Sequence, residues 1–158
     1  MILRDDIVTL RPMRRAEDKE YCLSLIRRYD IPVSDDLFVQ VKNSFDEKFR
    51  YGWIGYSETG IRGGVIYLLY DSAFDRWMLH AYRDDRMLCK LERRRDWSFH
   101  AANLVLKFFF EKIGSRVYTL ARERRFHKAL MDRLGFEKVG SMMTQLGNSD
   151  VYLKAVSL

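Results

Sequence analysis

The chain has 158 residues, 47% hydrophobic and 32% charged, and its 28 lysines and arginines outnumber 22 acids for a formal net charge of +6. That size and balance fit one domain, residues 1–158, with a buried core and exclude a disordered chain. Cys22 and Cys89 form neither a disulfide framework nor a CxxC pair, which favours a reducing compartment and marks no obvious nucleophile. The longest nearly apolar run, Leu104–Phe110, is far too short to span a bilayer, and the charged start Met1-Ile-Leu-Arg-Asp-Asp is no signal peptide, so a cytoplasmic location and no membrane partner are expected. The positive charge points to an anionic partner: a phosphorylated cofactor, nucleic acid or an acidic protein.

In chain order, Ile7-Val-Thr-Leu-Arg-Pro12 alternates and stops at proline, which predicts a strand. A helix follows from Ala16 to Tyr29, with Tyr21, Leu25 and Tyr29 on one stripe filled by Cys22 and Ile26. Pro32 breaks the chain, and Ser34-Asp35-Asp36 caps a second predicted helix over Asp35–Phe45. Trp53–Tyr56 and Gly63–Tyr70 read as a hairpin about the Glu58-Thr-Gly60 turn, and Asp75–Tyr82 as the next strand. Arg83–Arg95 is a basic, irregular connector. Asp96 or Ser98 caps a largely apolar, hence buried, helix that runs to about Ile113.

The last third is the most informative. Val117–Ala121 is a strand, Phe126–Leu134 a short helix, and Phe136–Val139 and Val151–Val156 are final strands, with Gly147-Asn148 a turn. Phe126, Leu130 and Leu134, with Ala129 beside them, place one apolar stripe against a sheet. Gly135 falls where a helix needs a left-handed residue after its last turn. The order β-α-α-β-β-β-α-β-α-β-β predicts an α/β fold: a mixed central sheet of about seven strands with helices on both faces.

Strand, helix and Leu134-Gly135-Phe136, together with Thr9-Leu-Arg-Pro12 followed by Glu17-Asp18, resemble the GCN5-related N-acetyltransferase (GNAT) superfamily along nearly the whole chain. The resemblance implies an acyl-CoA site (acetyl-CoA or CoA) at a splay between strands Arg76–Tyr82 and Val117–Ala121, and an amine acceptor. The pantetheine arm would lie along Leu79 and Ala81. The cofactor's pyrophosphate would meet the loop of pattern Q/R-x-x-G-x-G/A before the long helix, where glycines and a helix N-terminus favour phosphate. The nearest fit is Arg93-Arg94-Arg95-Asp96-Trp97-Ser98. Its leading Arg is present, but Asp96 and Ser98 replace the two small residues. Either the arginines bind phosphate through their side chains, or Asp96 caps a helix that no longer binds CoA. At the last helix Arg124 replaces the family's Asn, and Met131 stands where a Tyr protonates the leaving thiolate. A His at position 127, able to contact a cofactor phosphate, also resembles a phage-encoded GNAT-like group linked to virion assembly, which would place the protein in host cytoplasm or virion.

His80 shares a predicted strand face with Met78 and Tyr82, opposite Trp77, Leu79 and Ala81. His80 or Tyr82 would assist proton transfer in an acyltransferase, while the bland reading of His80 is a partly buried side chain satisfied by a hydrogen bond, or one on a partner surface. His100 reads as structural, His127 as a helix-face residue beside Arg124. No cluster has metal-ligand spacing. There is no P-loop, G-x-S-x-G or G-x-G-x-x-G. Three functions follow: an acyl-CoA-dependent N-acyltransferase, a GNAT-fold protein without catalysis that binds a protein partner or assembly, and a basic nucleic-acid-binding module with Trp97, Phe99 and Tyr82 as stacking residues. Aromatics number ten Phe, nine Tyr and three Trp; those at helix spacing, Phe108–Phe110, Tyr21 and Tyr29, fit a core, and any left exposed would mark a protein interface.

Overall fold

A computed structural model describes residues 1–29, 51–72, 74–89, 94–122, 125–144 and 147–156. The second predicted helix, 35–45, lies outside these residues. Eight strands form one sheet: β1 (Leu3–Arg4), β2 (Val8–Pro12), β3 (Tyr51–Ser57), β4 (Arg62–Asp71), β5 (Arg76–Arg83), β6 (Arg116–Arg122), β7 (Glu137–Thr144) and β8 (Gly147–Ala155), in the order β1-β2-β3-β4-β5-β6-β8-β7. Four helices accompany them among the described residues: α1 (Ala16–Tyr29), α2 (Asp85–Leu88), α3 (Arg94–Lys112) and α4 (Arg125–Leu134). The mixed α/β sheet expected from the sequence is present, with the two-residue β1 as its additional strand.

The sheet has two cores. On one face α3 and α4 pack Trp97, Val105, Leu106, Phe109, Met131 and Leu134 against Leu10, Trp53, Ile66, Leu68, Leu79 and Val117. On the other face α1 packs Tyr21, Cys22, Leu23 and Leu25 against Ile54, Val65 and Tyr67. Burial pushes the Cys22 thiol up to about 12, so it stays protonated and inert.

The Arg-Pro and Glu-Asp pairs near the start meet physically. The Arg11 guanidinium grips the Asp18 carboxylate through both nitrogens, at 2.7 and 2.9 Å, and Tyr56 Oη accepts a further bond at 3.1 Å. Asp18 also accepts the backbone N–H groups of Arg14 and Arg15, two donors that the helix start leaves unpaired. One buried carboxylate therefore ties β2 to the first turn of α1. Burial alone would raise its pKa, but the bonds from Arg11, Arg15 and Arg14 hold it below the ordinary 3.8.

Trp97 explains two glycines. A Cβ on Gly55 would lie 2.6 Å from the indole, and one on Gly63 2.7 Å. The bare strands thus form a slot that the ring fills. At the end of α4, Gly135 adopts φ 82°, as its place in the sequence predicts. Its N–H bonds Asp132 O and the Phe136 N–H bonds Met131 O, which is the paired closure of a Schellman motif. The apolar stripe differs from expectation. Ala129 is exposed, and Met131 takes the core position with Leu134, because residues three apart share a helix face while Ala129 is turned away from it. The connector before α3 also carries a turn of helix, α2, whose Leu88 is buried beside Trp97.

Asp18→Ala is expected to cost on the order of 3 kcal/mol, since it strands a guanidinium and uncaps α1; urea unfolding at neutral pH measures this. The wild-type contribution of Asp18 should be complete above pH 4 and fade as pH falls through the depressed native value, because the unfolded chain takes up the proton first. Gly55→Ala should cost about 1–3 kcal/mol by the overlap with Trp97, read as a lowered midpoint with unchanged m-value.

Candidate active site

The sheet is antiparallel everywhere except between β5 and β6, and those two parallel strands pair at one register only, Met78 with Tyr118. Among the described residues no further backbone pairing joins them. The Leu79 carbonyl is taken by the Thr119 hydroxyl at 2.9 Å, so β5's odd-numbered residues turn their polar backbone towards β6. The even-numbered side faces β4, as the Asp84 N–H bond to Gly63 O shows at the strand's end. Ala81 therefore aims N–H and C=O into the gap. Its side chain is exposed although β5 is an interior strand of an eight-stranded sheet, while Leu79, two residues back, is 5% exposed. A wedge thus opens beside Ala81 with a backbone edge able to pair an extended amide chain.

His80 lies on the α1 face with Met78 and Tyr82, the alternation that the sequence predicts. Its ring stacks on Tyr67 at 5.2 Å, and Tyr67 stacks on Tyr82 at 6.2 Å. Among the described residues His80 has no hydrogen-bond partner. Desolvation pushes its pKa down to about 4. The imidazole is neutral at physiological pH.

The start of α3 borders the same end of β5. The helix begins at Arg94, so Asp96 and Ser98 sit inside its first turns and neither precedes it as a cap. Asp96 pairs with Arg133 of α4 at 3.3 Å, and Arg83 of β5 reaches Ser98 Oγ at 3.3 Å and Asp85 at 2.8 Å. The two side chains that replace the family's small residues are thus engaged with arginines. The side chains of Arg94 and Arg95 are not described, and Arg93 and Arg124 lie outside the described residues. His127 is half-buried on α4 and has a partner. The start of α3 carries Arg94 and Arg95 in its first turn and no glycine.

The remaining candidates separate. His100 Nδ1 lies 2.6 Å from Asp5 Oδ2, tying α3 to the loop before β2, as its structural reading expects. Trp97 cannot stack on a base, because it is 5% exposed in its glycine slot, and Phe99 lies under Arg133 at 3.9 Å. Among the described residues no three His, Cys, Asp or Glu side chains gather as metal ligands do. The sequence reading missed Asp84. It is buried at the end of β5, on the His80 and Tyr82 side by strand alternation, and accepts Tyr21 Oη at 2.9 Å and Arg28 at 3.5 Å. In the sequence it is one acid among the charges of the connector. No helix of the described residues is long and apolar enough to cross a membrane.

No protein-family profile and no curated protein matches the chain. Solved structures match along its whole length. An acetyltransferase from Agrobacterium tumefaciens superposes with a TM-score of 0.72 at 18% identity, covering 99% of this chain and 95% of the other. A putative GNAT-family acetyltransferase from Bordetella pertussis gives 0.71 at 14% identity, covering 98% and 99%. The microcin C7 self-immunity acetyltransferase MccE, in complex with acetyl-CoA and AMP, gives 0.67 at 14% identity, covering 96% and 94%. The chain has the fold of the GNAT acetyltransferases.

The desolvated imidazole has a consequence for stability. Between pH 6.5 and about 4 the unfolded chain protonates its histidine while native His80 does not, so stability falls as pH falls through this window. His80→Phe keeps the stack on Tyr67 and should remove a component on the order of 2–3 kcal/mol at the acidic end, read by comparing urea midpoints of the two proteins from pH 7 to 4.

Proposed function

We propose that this chain, acting as one unit over residues 1–158, is a divergent acyl-CoA-dependent N-acyltransferase. The observation that carries the reading is the single Met78–Tyr118 pairing, which opens the sheet beside Ala81. The GNAT acetyltransferase fold supports it, as does the similarity to a structure that holds acetyl-CoA.

Acyl-CoA supplies an acyl thioester that an amine can attack. Leu79 and Ala81 would pair the amide groups of its pantetheine arm through the free edge of β5. Arg93, Arg94 and Arg95 would neutralise the phosphates through their side chains, with Ser98, Arg124 and His127 nearby, since no glycine loop lets the backbone do so. His80, neutral and without a hydrogen-bond partner among the described residues, would accept a hydrogen bond from the attacking amine and orient its lone pair. With a pKa near 4 it is too weak a base to hold the amine's proton at neutral pH. The proton would pass through water or the Tyr82 hydroxyl towards the departing thiolate, because Met131 has none to give. Amine protonation, not His80, would then set the acidic limb of the rate profile.

A second reading has its own support. Asp96, paired with Arg133 at the start of α3, is an anion near the phosphate position, and Met131 replaces the family's proton donor. Those features suit a GNAT-fold protein without catalysis that binds a protein partner, for example in a phage particle. The nucleic-acid reading is weaker, because Trp97 is buried.

Calorimetric titration with acetyl-CoA and CoA at low and moderate salt, with ATP as the anion control, is expected to show saturable binding of both CoA compounds that ATP does not match. Arg94→Ala combined with Arg95→Ala should weaken that binding by on the order of tenfold, about 1.4 kcal/mol. No binding at millimolar ligand would overturn the acyltransferase reading and leave the protein-binding one. In an active preparation, kcat/KM should rise with pH along the acceptor's own titration, with no limb between pH 5 and 7 traceable to His80.

A further inference from the structure

We infer that the tip of the β4–β5 hairpin, at the opposite end of β5 from the wedge, docks a segment of a partner protein that carries a carboxylate beside an apolar side chain. Arg76 is the central observation. Its guanidinium lies 4.6 Å from the ring centre of Phe74 and 5.3 Å from that of Tyr118. Its Nε is sealed from solvent without a hydrogen-bond partner, and among the described residues no carboxylate pairs with it. Asp71 stands opposite Arg76 in the ladder yet forms no ion pair with it. The Asp75 carboxylate is taken by the Tyr70 hydroxyl. A cation held between two rings and left without an anion is poised for a planar carboxylate, which a guanidinium grips at two points.

The surroundings supply the apolar part. Phe74 is 64% and Tyr70 50% exposed, far outside the burial of the other aromatics in the cores. Asp75, in the turn, has φ 48°, a left-handed conformation that Asp tolerates better than most residues and that its bond to Tyr70 secures. Exposed aromatics around an arginine are the residue types that dominate interface energies. The net charge of +6 adds attraction towards an acidic partner.

Nuclear magnetic resonance on the isotope-labelled full chain tests this. Three probes are titrated: an acetylated peptide alternating glutamate and leucine, the same peptide with lysine for glutamate, and a single-stranded oligothymidine. The glutamate–leucine peptide is expected to move the Tyr70, Phe74 and Arg76 amides and the Arg76 Nε–H signal saturably, with the lysine peptide and oligothymidine inert. Arg76→Gln and, independently, Phe74→Ser should each weaken binding at least tenfold. Phe74 is largely exposed, so its variant keeps the readout if Arg76→Gln disturbs folding. No shift at millimolar peptide, equal binding by the lysine peptide, unchanged affinity in Phe74→Ser, or oligothymidine acting in the peptide's place would each overturn the proposal. None of these outcomes depends on whether acyl-CoA binds the wedge.

Discussion

Two antiparallel half-sheets, β1 to β5 and β6 to β8, meet at one backbone pairing, Met78 with Tyr118. Parallel neighbours need a crossover, and α3 supplies it while covering one face with Trp97, Val105, Leu106 and Phe109. The joint is held by side-chain packing and by the Thr119 bond to Leu79 more than by a ladder. Everything proposed for this site follows from that economy of pairing. Where two strands part, backbone donors and acceptors face open space in the middle of a sheet, and they remain satisfied only by water or by a ligand shaped like a strand.

Around the joint, polar contacts hold the flanking helices. Arg11 and Asp18 fasten α1 at its start, and Asp84 fastens it further along through Tyr21 and Arg28. Arg133 and Asp96 link α4 to the first turn of α3. These ties set the walls of the wedge while the floor stays unpaired. His80 sits in this frame as a neutral ring stacked on Tyr67, so the site is drier and less basic than the chain's net charge suggests.

Much of the fold was legible because its elements are strongly patterned. Alternation along Val8–Pro12, the apolar runs bounded by turn residues at Arg62–Asp71 and Arg76–Arg83, the apolar surface of α3 and the left-handed position of Gly135 all follow from local chemistry. β1 escaped because two residues carry no period, and α2 because a single turn inside a charged run has none either. Met131 was taken for a lost functional position alone, yet it also packs in the core one turn before Leu134. For the site, strand alternation placed His80 and Tyr82 on one face and Leu79 and Ala81 on the other. Sequence could not show that Ala81 is exposed within the sheet, since that depends on where β6 turns away. Nor could it pick out Asp84, whose partner Tyr21 lies 63 positions earlier, or the Trp97 slot, which needs Gly55 and Gly63 brought under one helix.

The edge of β5 at Ala81 is open in this sheet. Amide hydrogen exchange, resolved residue by residue, addresses it most directly. The His80 and Tyr82 amides, which face β4, should exchange slowly, and the Ala81 amide quickly, slowing when acetyl-CoA is added. An Ala81 amide already as protected as its neighbours in the free protein would mean that the strands do not part there, and the account would fail.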